Sequence, residues 1–176
     1  MNHAAILFCK NALCLIGLML FTAASLQAAT VNAQVFSVAG KVEFAGPGSS
    51  NYAPLQKGQS LAIGSTIRTG ADGIAVLVTT PGSAIQLGNN STLRINKLAF
   101  TKTGSGVKER TANLQLSSGV VSALIDPSTP KVTDFQVQTP EGAAAARGTF
   151  YAVLVYHGKT YVGVKEGHVA LKASGE

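Results

Sequence analysis

Along most of this chain, hydrophobic residues alternate with polar or small ones, the period-two pattern of a strand with one buried face. Val42 and Phe44, Ile85 and Leu87, Leu93 and Ile95, Leu114 and Leu116, and Phe135 and Val137 mark such strands. Val162 and Val164, then Val169 and Leu171, carry the pattern toward the C-terminus. Two runs, Ile74 to Val78 and Phe150 to Tyr156, are continuously apolar, which predicts strands covered on both faces. Turn formers interrupt the pattern at intervals of roughly 8–12 residues. They are Gly46-Pro47-Gly48, Gly70-Ala71-Asp72-Gly73, Pro81-Gly82-Ser83, Gly88-Asn89-Asn90, Asp126-Pro127, Pro140-Glu141-Gly142, His157-Gly158-Lys159 and Glu166-Gly167. Glycine and asparagine tolerate the positive φ that tight hairpin turns demand. Gly142 to Ala146 alone has helical composition, and it is too short to hold a helix by itself. Gly46 to Ala53 and Thr101 to Val107 read as exposed loops within one domain.

The pattern predicts an all-β fold: a single domain of short strands with β-solenoid or β-roll-like stacking, or alternatively a β-sandwich. A faint echo supports stacking. Gly-x-Val opens a strand at Gly40, Gly119 and Gly167, and the Thr69–Gly73 turn resembles Thr139–Gly142. With 176 residues, 46% of them apolar and 12% charged, the chain can bury a core without staples.

The N-terminus changes the picture. Lys10 precedes an uncharged apolar stretch, Asn11 to Ala24, and small residues follow at Ser25-Leu26-Gln27-Ala28-Ala29. This is the order of a secretory signal peptide. Leu13 to Ala24 is shorter than the ~20 residues a membrane span needs. The expected organisation is a cleaved leader, residues 1–28, and a mature β domain, residues 29–176, in the periplasm or secreted, with no membrane span. Both cysteines, Cys9 and Cys14, fall in the leader, so the mature chain can form no disulfide. Neither cysteine follows the small residue that lipid attachment would want.

The chain carries 14 Lys and Arg against 8 Asp and Glu, a formal +6; loss of Lys10 leaves 13 against 8, or +5. The basic residues are dispersed, and Lys108-Glu109-Arg110 has an acid at its centre. That argues against nucleic acid and leaves a weak attraction to anionic envelope polymers.

No catalytic, metal or cofactor site emerges. Gly158-Lys159-Thr160 lacks the earlier glycine of a phosphate loop, because Val153 stands there in an apolar strand. His157 and His168 have no flanking ligands at metal spacing. Asp72, Glu109, Asp126, Glu141 and Glu166 sit at turns or in a loop, where carboxylates are solvated, and no Gly-x-Ser-x-Gly elbow is present. The overlapping Asn-x-Ser/Thr acceptors at Asn89 and Asn90 mark an exposed turn. The residues singled out, as structural corners or contact points, are Thr69, Gly70, Asp72 and Gly73, and Arg147, Gly148 and Thr149. Arg147 stands among small and apolar neighbours, Ala143 to Ala146 and Gly148-Thr149-Phe150. It either caps backbone carbonyls at a strand corner or offers its fork to an outside acceptor. The surroundings favour capping, with a cost of about 1–3 kcal/mol for alanine.

An ordered set of motifs then becomes recognisable. It runs from Gly40-Lys41-Val42 through Leu55, Gly58, Leu61 and Gly64 to Ile67-Arg68-Thr69-Gly70-Ala71-Asp72-Gly73-Ile74-Ala75. Gly82 to Leu87, Ser91 to Ile95 and Gly119-Val120-Val121 follow. Phe135 to Pro140, Arg147-Gly148-Thr149-Phe150, Val153 and Val164 to Val169 complete it. From about Val38 to Leu171 the chain resembles the FecR protein domain. The resemblance implies a β-rich, solenoid-like extracytoplasmic fold. In the namesake members the domain is the periplasmic part of a transmembrane anti-sigma regulator, contacting the signalling domain of an outer-membrane iron transporter. The expected mature chain departs from that layout, with no cytoplasmic sigma-binding region and no retained transmembrane helix, so direct control of a sigma factor is not expected. The implied role is a non-enzymatic binding or signalling module with an envelope protein partner, an outer-membrane receptor being one candidate. The alternative is a structural component touching wall or glycan. Such a chain would meet a protein partner through exposed strand edges.

Overall fold

The computed structural model describes residues 31–104 and 106–174. The expected leader, residues 1–28, lies outside the described residues. Fourteen strands carry the fold: β1 (Ala33–Ala39), β2 (Val42–Ala45), β3 (Ala53–Pro54), β4 (Ser60–Leu61), β5 (Thr66–Thr69), β6 (Ile74–Thr80), β7 (Ser83–Leu87), β8 (Thr92–Thr103), β9 (Gly106–Ile125), β10 (Thr133–Thr139), β11 (Gly142–Ala146), β12 (Phe150–Tyr156), β13 (Lys159–Glu166) and β14 (Val169–Ala173). A 3-10 turn, Pro130–Val132, precedes β10. The all-β class expected from the alternation holds.

One sheet of fourteen strands curls back on itself through β9. Its first half lies between β8 and β10, in a layer ordered β3-β2-β5-β8-β9-β10-β11-β14. Its second half lies between β7 and β12, in a layer ordered β4-β1-β6-β7-β9-β12-β13. Every ladder among the described residues is antiparallel except β9–β10, so the repeated unit is an antiparallel hairpin rather than a parallel coil. Register puts apolar side chains in rows: Ile95, Leu114 and Val137 in the first layer, Leu87, Val121 and Val153 in the second. Both rows belong to one buried cluster, and water exclusion from it is the main force holding the layers together.

The layer change occurs at Gly119, whose φ of 84° is left-handed. Gly40 and Gly167, the other two glycines of the Gly-x-Val echo, also have positive φ. The echo therefore marks three places where the chain reverses or kinks.

Three expectations change. Gly142–Ala146 is strand β11, because pairing to both β10 and β14 outweighs alanine's helical preference. The runs in β6 and β12 are covered on one face only: Ile74 and Leu154 are exposed. The Thr101–Val107 loop is the tip of a long hairpin, with β8 ending at Thr103 and β9 starting at Gly106.

Candidate functional site

Thr69 closes β5 with its side chain buried. Its hydroxyl donates to the Gly88 carbonyl at 2.6 Å and accepts from the Ser91 N–H at 2.8 Å. The Gly70 N–H donates to the Lys41 carbonyl at 2.8 Å, and the Gly70 carbonyl accepts from the Asn90 N–H at 3.0 Å. Asp72 accepts the Lys41 N–H at 3.2 Å, and a side chain at Gly73 would collide with the Lys41 carbonyl. Ser91 accepts the Val120 N–H at 2.9 Å. Thr69, Gly70, Asp72 and Gly73 thus tie three turns to the kink of β9. Their polar groups point at backbone.

Arg147, Gly148 and Thr149 lie at another corner, where β11 crosses to β12 beside the links from β9 to β10 and β13 to β14. A shallow hollow of about 340 Å³ is lined there by Pro127, Pro130, Arg147, Gly148, Gly167 and His168. Gly148, with φ 121°, leaves room for Pro127 against its backbone. The Thr149 carbonyl accepts the Ile125 N–H at 2.9 Å. Arg147 is exposed and donates no side-chain hydrogen bond to the described residues, so the expected carbonyl capping is not seen. The alanines before it pack as strand β11, and the chain turns outward where that strand ends.

Arg110 does the capping instead. It is 4% exposed and donates to the Asp126 carbonyl at 3.2 Å, to the Thr133 hydroxyl at 3.5 Å and to the Asp126 carboxylate at 3.4 Å. That carboxylate also accepts the Ser128 N–H at 2.9 Å and hydroxyl at 2.8 Å. The Ser128 bonds, then Arg110, hold Asp126 below the ordinary carboxylate pKa. The sequence offered a signal: Arg110 lies two and four residues before Ala112 and Leu114, on the core-facing side of β9. Its charged neighbours Lys108 and Glu109 masked it. Tyr151 lies edge-on to Phe135 at 6.4 Å, and burial pushes its hydroxyl far above the usual pKa.

A third feature is an open side. Among the described residues, β13 pairs only with β12, and β14 only with β11. The side chains of Val162 and Val164 lie on the core side, opposite buried Val153 and Tyr151. Leu171 and Val169 likewise oppose buried Ala144 and Ala146. Among the described residues no strand closes the gap between them: Val164 is 46% and Leu171 67% exposed. A cleft of about 250 Å³ runs between β13 and β11–β14, lined by Thr139, Ala144, Thr160, Val162, Leu171 and Ala173. The alternation in both strands was legible; the missing neighbour was not, because period two fixes the face of a side chain and says nothing of who pairs with the edge.

No curated protein and no solved structure matches this chain significantly. A family model described as FecR protein matches residues 65–170. The match contains both candidate corners, Arg110 and most of the open side. It suggests a signalling or regulatory role in the envelope, with envelope proteins as partners. On that match, covering more than half of its length, the chain belongs to the FecR protein family.

Proposed function

We propose that the mature chain is exported to the periplasm or cell surface and acts there as a non-catalytic module that binds another envelope protein and relays a signal. The leader pattern supports export, and FecR membership supports a signalling role. The observation that carries the binding role is the open side. Unpaired strand edges recruit partner strands, and proteins that have no use for them blunt them. At the opposite ends of the layers the edges are blunted: β3 and β4 have two residues each, and β3 ends in Pro54. β13 is eight residues long and, although Lys159 and Lys165 guard its ends, its stretch from Thr160 to Val164 is uncharged and open to pairing.

The test is in-cell crosslinking of a tagged chain, with recovery from the separated envelope and mass spectrometry of what accompanies it. A discrete envelope protein, crosslinked reproducibly, is expected. Recovery with wall or glycan material alone, released by salt, would favour a structural role instead. Recovery from the cytoplasm would overturn the reading.

A further inference from the structure

We infer that the cleft between β13 and β14 is a strand-acceptor site for an extended segment of a partner protein with alternating apolar side chains and acidic flanks. The inference rests on the binding role proposed above and says where and what the module binds.

Backbone geometry makes β13 the acceptor. His157 and Gly158 both have positive φ and form a two-residue hairpin turn, so Tyr156 and Lys159 are the hydrogen-bonded closing pair. Alternation along an antiparallel ladder then turns the N–H and C=O groups of Thr160, Val162 and Val164 away from β12, toward the open edge. Thr160 is already engaged: its N–H donates to the Glu141 carboxylate and its hydroxyl to Thr139 at 2.8 Å. Val162 and Val164 carry the groups that an incoming strand would meet, and the Val162 side chain lines the cleft. A strand paired there places alternate side chains over Leu171 and Val162, closing the gap in the core. Its other side chains continue the outer face of the second layer beside Tyr161 and Leu154, both exposed.

Charge selects the occupant. Lys159, Lys165 and Lys172 are exposed around the cleft. The nearby acids are Glu166 and Glu141, which keeps its charge while accepting the Thr160 N–H, so the three lysines outnumber them by one. The rim is therefore positive, which favours acidic residues flanking the incoming segment. It disfavours a second copy of this chain. Antiparallel self-pairing centred on Val162 aligns the uncharged stretch Thr160–Val164 with itself and sets Lys159 opposite Lys165 of the copy at both ends. Like charges directly opposite destabilise a strand pair.

The test uses the purified mature chain and ten-residue peptides of alternating Val and Thr, flanked by Asp or by Lys. Amide exchange followed by NMR reads the site, and fluorescence anisotropy reads affinity. The Asp-flanked peptide is expected to protect the Val162 and Val164 amides and to bind about tenfold more tightly than the Lys-flanked one at low salt. Val164→Pro removes an edge donor without touching the β12 ladder, and Leu171→Gln removes the apolar floor. Each is expected to weaken binding at least about tenfold with cooperative unfolding retained. Protection elsewhere, or binding indifferent to both variants, overturns the site. Equal affinity for the two peptides overturns the acidic flanks. A dimer abolished by Val164→Pro replaces the partner strand with a second copy. In cells, a Val164→Pro chain that still crosslinks the wild-type partner sinks this site while the binding role stands; a wild-type chain that crosslinks no discrete protein sinks the binding role itself.

Discussion

Arg110 and Arg147 stand near the same layer crossings and have opposite surroundings. The Arg110 guanidinium is buried against the Asp126 backbone and Thr133, and its stem packs along the core side of β9. Arg110→Ala removes that packing and strands the carbonyl, so we expect a loss of roughly 2–4 kcal/mol. Arg110→Lys rescues only part of it, because one ammonium cannot reproduce the fork. Arg147→Ala is expected to change stability by less than about 0.5 kcal/mol, as exposed positions without partners do. Urea unfolding with an unchanged slope separates the two. Equal losses would restore a structural role for Arg147. Gly82 belongs to the same argument: a side chain there would come within 2.5 Å of the Arg110 guanidinium, so the Pro81-Gly82 turn leaves the room that the buried arginine fills.

The long strand β9 depends on one residue in the same way. Gly119 is left-handed, and a side chain there would collide with Ser91, whose hydroxyl receives the Val120 N–H. Gly119→Ala therefore combines backbone strain with the break of a corner tie. We expect a loss of roughly 2–4 kcal/mol in thermal or urea unfolding. The neighbouring exposed Ser118→Ala should cost almost nothing. A mild Gly119→Ala phenotype would mean that the layers do not rely on this kink. Much of this was legible in the chain. Leu114 and Leu116 were recognisable as one strand and Val120-Val121 as the start of another after Gly119. Their fusion into one strand of 20 residues was not, because a glycine that kinks a strand and one that ends it read alike. The same limit explains β11. Alanine leans toward helix, and the partners that override it, Phe135 to Thr139 and Val169 to Ala173, lie elsewhere in the chain. The Thr69–Gly73 turn was legible as a corner because its glycines and aspartate mark a turn wherever they stand, but its ties to Lys41, Gly88 and Ser91 were not. The β13–β14 cleft was not, because it is made by what fails to pair.

Across the whole molecule the two outer faces differ. The first layer shows Arg94, Asn113, Gln115, Asp134 and Gln136, with Asn96 bonded to Asn113 and Gln138. The second shows Val76, Val78, Ala84, Leu124 and Leu154. The chain is basic overall, so acid adds to its self-repulsion as carboxylates take up protons. Asp126 gives the acid limb a specific component. Its folded pKa lies below the ordinary value because Ser128 and Arg110 stabilise the ionised form. A carboxylate of this kind adds stability that is complete above its unfolded pKa, about 4, and is lost as pH falls through the depressed folded value. Stability should then be level from pH 7 to 5 so far as this group is concerned, and should fall below about pH 4. Asp126→Asn keeps an acceptor for Ser128 and removes the charge. It should be less stable than the wild type at pH 7 and lose less between pH 5 and 3, so that the two urea-unfolding profiles converge in acid. Parallel profiles would mean that the buried Arg110 needs Asp126 only for its backbone carbonyl, and the acid limb would then belong to net charge alone.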